Sequence, residues 1–270
     1  MNVWKVAKPP IWAAFRMVAG LNVLLNGHKY RYVFILGHMR SGSTLLSHIL
    51  ASHADFVGAG ETHIFYHTPA DLPKLVLRTS ELLRRPVLRQ AYIVDQINHP
   101  YAADEVLLSE RIYRCIILLR EPNGTLKSMM NLSIWQEHEA LQIYINRLET
   151  LTRYGLLLRE RALLVQYNDL IDDTEQTLAS LTRFLGLNLP LIPNYSTHRM
   201  TGKVAGYGDP SDNIKAGHIV RTPDHNISIG DDTLTAATRA FLKCRELLEA
   251  VTADRAALYN RDGARRTAST

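Results

Sequence analysis

Cysteine is scarce in this sequence, with two residues in 270. Cys115 sits inside an apolar run and Cys244 in a helical pattern, and neither has the spacing of a metal-ligand set. A disulfide framework and a zinc site are therefore excluded as organising devices, no metal is expected, and a reducing, cytoplasmic location is expected. Runs of like charge are also missing: the formal net charge of +5 comes from basic residues spread along the chain. That spread suits a small anionic ligand better than a nucleic-acid partner, although a merely basic soluble surface accounts for the charge equally well. No apolar stretch reaches the ~20 residues needed to span a bilayer. The nearest approach, Ile11 to Leu25, follows Lys5 and Lys8 and is interrupted by Arg16 and Asn22, with no convincing small-x-small cleavage site before Gly27. It reads as an amphipathic helix packed on the domain. The alternative is a surface anchor for a membrane or a lipid-like acceptor, and with it a peripheral membrane association.

What is present is an ordinary globular composition, 46% hydrophobic, in a chain long enough to bury roughly 70–75% of its unfolded surface. Short β-rich runs alternate with helical stretches after residue 30, the pattern of an α/β fold with a parallel sheet flanked by helices. The expected strands are Tyr32–Leu36, Phe56–Gly58, Arg114–Leu119 and Leu163–Tyr167. The expected helices are Ser43–Ser52, Leu72–Arg85, a segment near Leu88–Asn98, Gly124–Leu132, Glu139–Glu160, Thr174–Leu185 and Thr233–Val251. From about 188 to 231 the chain turns rich in Pro, Gly, Asn, Asp and His, too long for a simple connection and typical of a lid or binding loop. The expected organisation is an N-terminal helical segment at 1–30, one domain at 31–260 and a frayed tail at 261–270.

The first strand runs into Gly37-His38-Met39-Arg40-Ser41-Gly42-Ser43-Thr44 and then into a helix, the context of a loop that cradles phosphate with backbone N–H groups and a helix N-terminus. It differs from the nucleotide-triphosphate motif at one place: Ser43 stands where Lys is required, and the cation is Arg40, inside the loop. No acidic residue ends a neighbouring strand to help hold magnesium, since Leu118-Leu119 leads into Arg120. A donor with a single 5′-phosphate and no metal fits better than a magnesium nucleotide; a strand-to-helix turn without a ligand is the plain alternative. Arg120, at the end of an apolar strand, and Ser128, on the next helix, can converge in the crevice of an open α/β sheet and clamp another phosphate. Alone, that pair reads equally well as a surface ion-pair residue and a bystander.

With these pieces the sequence resembles the sulfotransferase superfamily, built on the architecture of phosphate-loop nucleotide hydrolases. Gly37 to Leu46 is similar to its 5′-phosphosulfate loop and Arg120-Glu-Pro-x5-Ser128 to its 3′-phosphate motif. Leu164 to Leu170, with Tyr167, is similar to its Tyr-Glu-Asp-Leu segment. The resemblance implies transfer of a sulfuryl group from 3′-phosphoadenosine 5′-phosphosulfate (PAPS) to a hydroxyl or amine of a small-molecule, carbohydrate or lipid-linked acceptor. It implies Tyr167 as part of the donor site. The family's Arg-Lys-Gly triplet is not visible beyond residue 188; Lys203, Lys215 or Arg221 are substitutes, with Lys215 favoured.

Gly58-Ala-Gly-Glu-Thr-His63 is similar to the Gly-Glu-Glu-Thr segment of tyrosylprotein sulfotransferases, which makes Glu61 the candidate base and His63 the second candidate. Alternatively, Glu61 pairs with Arg40 or Arg120 and only orders the site. Arg40 is expected to neutralise charge on the leaving phosphate, with Ser43 and Thr44 donating beside it. His48 and His53 are expected at packing or surface positions, and at most one of His198, His218 and His225 near the acceptor. Tyr66, Trp135, Tyr144, Tyr195 and Tyr207 are candidates for an acceptor pocket or for the core. The competing readings are a kinase or nucleotide hydrolase with an atypical loop, and a catalytically silent nucleotide-binding protein.

Overall fold

The computed structural model describes residues 9–99, 103–109, 113–132, 134–199, 201, 208–209, 211–221, 225–254 and 257. In chain order the elements are α1 (Pro9–Asn26), β1 (Arg31–Gly37), α2 (Ser43–Ala51), β2 (Phe56–Gly58), α3 (Leu72–Leu83), β3 (Tyr92–Ile97) and α4 (Glu105–Ser109). They continue with β4 (Tyr113–Leu119), α5 (Pro122–Met130), α6 (Glu137–Leu158), β5 (Ala162–Gln166), α7 (Tyr167–Asp172), α8 (Thr174–Leu185), α9 (Asp212–Lys215) and α10 (Asp231–Val251). The strands form one sheet in the order β2-β3-β1-β4-β5, with every pairing parallel.

Helices on both faces explain why the strands read as near-continuous apolar runs. Alternate residues of β1 enter different cores. Tyr32, Phe34 and Leu36 pack with residues of α3, α6 and α10, whereas Val33 and Ile35 pack with α2 and α8. The period-2 alternation of a strand separates the two cores.

Residues 88–98 correct the sequence reading. A helix is expected there, and the structure has β3, buried along its whole length. Its β-branched Ile93, Val94 and Ile97 fit a strand. Asp95 and Gln96 disguise the run, because a buried strand is not expected to carry a carboxylate. Asp95 is accommodated by donors: Thr62 N–H at 3.1 Å, Thr62 Oγ1 at 2.6 Å, Tyr66 hydroxyl at 2.6 Å and Gln96 N–H at 2.9 Å.

The chain leaves β1 toward one edge of the sheet, through α2 to β2, and leaves β4 toward the other, through α5 and α6 to β5. The carboxyl ends of β1 and β4 therefore flank a topological switch point, where open α/β sheets bind ligands.

Candidate active site

Two glycines shape the loop after β1. Gly42 has φ +92°, in the left-handed region, and a Cβ there would collide with the Tyr167 ring. A Cβ on Gly37 would come within 2.5 Å of Ser41 Oγ. The loop is thus wrapped tightly against β3 and the start of α7, with Gly42 at the N-cap position of α2. Arg40 also has positive φ, +62°, which turns its side chain out of the loop and across the crevice. Such strain in a non-glycine residue persists only where the surroundings enforce it.

His38 joins the loop to β4. It is buried, its Nδ1–H donates to Met39 O at 2.9 Å, and its Nε2 accepts the Arg120 N–H at 2.9 Å. One nitrogen donating and one accepting fixes a neutral ring. Burial, with the nearby charges of Arg147 and Arg120, lowers its pKa to about 4, against the hydrogen bond to Met39. Arg147, on α6 and 2% exposed, braces the same edge. It donates to Gly37 O at 2.8 Å, Ile97 O at 2.6 Å and His99 O at 3.2 Å, and burial lowers its pKa to about 10. It thereby ties the end of β1 to the end of β3 and the residues that follow it.

Arg120 lies over the Tyr167 ring, 4.5 Å from its centroid, and donates through Nη1 to Arg40 O at 3.3 Å. Its Nε is buried without a partner among the described residues, as is Ser41 Oγ. Glu121 caps α5 by accepting the Gly124 N–H at 2.8 Å, which sets the helix that carries Ser128. Arg40 Nε donates to Ser128 Oγ at 2.8 Å, and Arg40 Nη2 pairs with Asp209 at 2.9 Å. Asp209 N–H in turn donates to Thr44 Oγ1 at 3.2 Å.

Glu61 approaches from the segment after β2. Thr62, between Glu61 and His63, is buried against Asp95, so both its neighbours line the cavity. Gly60 at φ +84° and His63 at φ +57° bend this segment away from regular extended geometry. Glu61 accepts a hydrogen bond from Asn98 Nδ2, a partner that is neither Arg40 nor Arg120. Asn98 follows β3 directly, so taking 88–98 for a helix hides it from sequence reasoning, as it does Asp95.

One cavity of about 690 Å³ holds Met39, Arg40, Gly42, Ser43, Thr44, Glu61 and His63 together with Arg120, Ser128 and Tyr167. Gly37, His38 and Ser41 belong to the same loop but do not line the cavity. Lys215 is not brought there: it is exposed and pairs with Asp212 at 2.7 Å. The i,i+3 spacing on the single turn of α9 supplies that partner locally, so the structure does not bear out a donor-site contact. Arg221 pairs with Asp172 on the surface, and Lys203 lies outside the described residues.

Among the aromatic candidates, Trp135 and Tyr195 line the cavity. Tyr66 is buried on Asp95, and Tyr144 is buried with its hydroxyl on Arg120 O at 2.8 Å; Tyr207 lies outside the described residues. His225 lines the cavity, whereas His198 is buried against α2, its ring 4.1 Å from that of His48. No group of three or more His, Cys, Asp or Glu able to hold a metal occurs among the described residues.

Fold and site define an α/β protein whose phosphate-type loop, two arginines and a carboxylate share one crevice. Residues 32–113 match the model of a family described as the sulfotransferase family, a span that includes the loop and Glu61 and stops before Arg120. The fold is shared with the sulfotransferase domain from the Synechococcus PCC 7002 olefin synthase, with a TM-score of 0.53 at 19% identity over 78% of this chain and 94% of that one. It is also shared with the sulfotransferase domain from the curacin biosynthetic pathway, with a TM-score of 0.52 at 19% identity over 78% of this chain and 97% of that one. No curated protein matches the sequence. Over residues 32–113 the chain is thus similar to the sulfotransferase family, and with the two solved domains it shares the fold.

Proposed function

We propose that the protein transfers a sulfuryl group from PAPS to a hydroxyl or amine of a small-molecule, carbohydrate or lipid-linked acceptor. The observation that carries this reading is the convergence of Arg40, Thr44, Glu61, Arg120 and Ser128 on one cavity. The donor fits the residues present. Arg120 Nε is a buried polar atom without a partner among the described residues, and Tyr167 offers an aromatic face already stacked by a guanidinium. Arg120 and Ser128 would hold the 3′-phosphate, and the loop through Thr44 the 5′-phosphosulfate, with backbone N–H groups doing much of the binding.

In the reaction the acceptor oxygen or nitrogen forms a bond to sulfur while the bond from sulfur to the 5′-phosphate oxygen breaks. 3′-Phosphoadenosine 5′-phosphate then leaves. Glu61 accepts the acceptor's proton, and Asn98 orients the carboxylate by donating to one of its oxygens. Arg40 offsets the charge that develops on the leaving phosphate.

The test is calorimetric binding of 3′-phosphoadenosine 5′-phosphate in EDTA, followed by a radiolabelled sulfate-transfer screen over phenols, sugars, amines and lipid alcohols. Tight metal-free binding with transfer to an acceptor supports the reading. Binding that requires Mg²⁺-ATP instead would establish the kinase or hydrolase alternative, and binding without any transfer the silent one.

A further inference from the structure

Helix α1 is apolar on two sides. Trp12, Phe15, Ala19 and Val23 face the body of the protein, where Asn22 Nδ2 donates to the Tyr30 hydroxyl at 2.9 Å and Arg16 pairs with Glu81 at 3.1 Å. The opposite side is uncovered. Ile11 is 63% exposed, Met17 70%, Leu21 53%, Leu24 78% and Leu25 59%. At ~100° per residue these five fall within one arc about 140° wide. Solvent-facing side chains of a helix are expected to be polar, so this arc has the character of a contact surface.

Basic residues flank the carboxyl end of the helix. Tyr30 hydroxyl donates to Leu88 O at 2.9 Å, which brings the turn after α3 beside the carboxyl end of α1. That turn exposes Arg84, Arg85 and Arg89 with apolar Val87 between them. Lys29 and Arg31, also exposed, follow α1 directly. The first acidic residue of the chain is Asp55, and the acid on this flank, Glu81, already has Arg16 and Arg78 beside it.

We propose that this face docks on an anionic lipid surface, with α1 lying in the interfacial plane, Leu21, Leu24 and Leu25 immersed, and the arginines at headgroup level. Apolar area together with positive charge is the combination that holds an interfacial helix. No described helix is long and apolar enough to cross a membrane, which favours a helix lying on the surface. The inference rests on this surface alone and stands or falls independently of sulfuryl transfer.

Co-sedimentation of the full chain with vesicles tests it. Phosphatidylcholine vesicles containing about a third phosphatidylserine should pellet the protein at low salt, and pure phosphatidylcholine roughly tenfold less, with high salt releasing it. Leu21→Glu with Leu24→Glu should weaken vesicle binding at least ~10-fold while leaving the circular dichroism and urea midpoint unchanged, because both residues are already exposed. Arg85→Gln with Arg89→Gln should abolish the preference for anionic vesicles. Equal binding to both vesicle types, no binding to either, or a dimer in light scattering that Leu24→Glu dissociates would each overturn the proposal.

Discussion

Arg40 reaches across the crevice and donates from Nε to Ser128 Oγ at 2.8 Å, joining the loop after β1 to the helix after β4. The contact spans the switch point of the sheet and links the two halves of the proposed donor site. Arg40→Ala and Ser128→Ala should each weaken 3′-phosphoadenosine 5′-phosphate binding by roughly 10–100-fold, the range for a charge-assisted hydrogen bond. The double variant should lose less than the product of the single effects, by about fivefold or more. Strict additivity in calorimetric titrations would show that the contact does not matter for binding.

Asp209 holds the same guanidinium at 2.9 Å and donates its N–H to Thr44 Oγ1. A carboxylate beside an anion site opposes an incoming phosphate, and its pair with Arg40 must be given up or shared when the donor binds. Asp209→Asn should therefore tighten 3′-phosphoadenosine 5′-phosphate binding roughly fivefold at low salt, with the advantage shrinking as salt rises. Unchanged or weaker binding would mean that Asp209 supports the occupied site.

Glu61 rests on Asn98, which follows β3, and its segment is pinned by Thr62 on Asp95. Removing the charge while keeping the shape separates chemistry from binding. Glu61→Gln should lower kcat roughly 10²–10⁴-fold, the range for loss of a general base, with affinity for 3′-phosphoadenosine 5′-phosphate nearly intact. Near-normal turnover would remove Glu61 from the proton path and direct attention to His63, on the same side of the segment.

The loop was legible in the sequence because its information is local: a strand, two glycines at fixed spacing and a helix start lie within a dozen residues. Arg120 and Ser128 were legible for the same reason. Residues whose role depends on a partner far along the chain were not. Arg147 looks like any helical arginine until the carbonyls of Gly37, Ile97 and His99 are placed around it. Asp95 and Asn98 are hidden along with β3, since a carboxylate inside an apolar run argues against a buried strand unless Thr62 and Tyr66 reach it. The sequence neighbours of Lys215 suggest a phosphate contact, but Asp212, three residues away, pairs with it.

Gly42 gives a test of the loop that is independent of charge. At φ +92° an alanine is strained, and its Cβ would also collide with the Tyr167 ring. Gly42→Ala should cost about 1–3 kcal/mol of stability and abolish measurable binding of 3′-phosphoadenosine 5′-phosphate. Adding Tyr167→Ala removes the collision and leaves the backbone strain, so only part of the stability should return. Full recovery in urea unfolding would show that steric contact alone requires glycine.

Stability should fall in mild acid, and the sign follows from three buried histidines. Burial lowers the pKa of His38 and of His48 to about 4, and that of His198 to about 3 with the His48 ring 4.1 Å away. Each is neutral in the folded protein at a pH where the unfolded chain, titrating near 6.5, already binds a proton. Their contribution is therefore present above about pH 6.5 and lost as pH falls toward 4. Asp95 opposes them: burial raises its pKa to about 6 despite the bonds from Thr62 and Tyr66, so between about 6 and 4 the folded state holds a proton that the unfolded state lacks, and stability is gained as pH falls. Three groups against one leave a net loss on the order of a few kcal/mol between pH 7.5 and 5. Urea midpoints across that interval should decline, and His198→Gln, which retains a hydrogen-bonding group for Ser47, should flatten the decline. A slope that His198→Gln leaves untouched would place the acid sensitivity elsewhere in the fold.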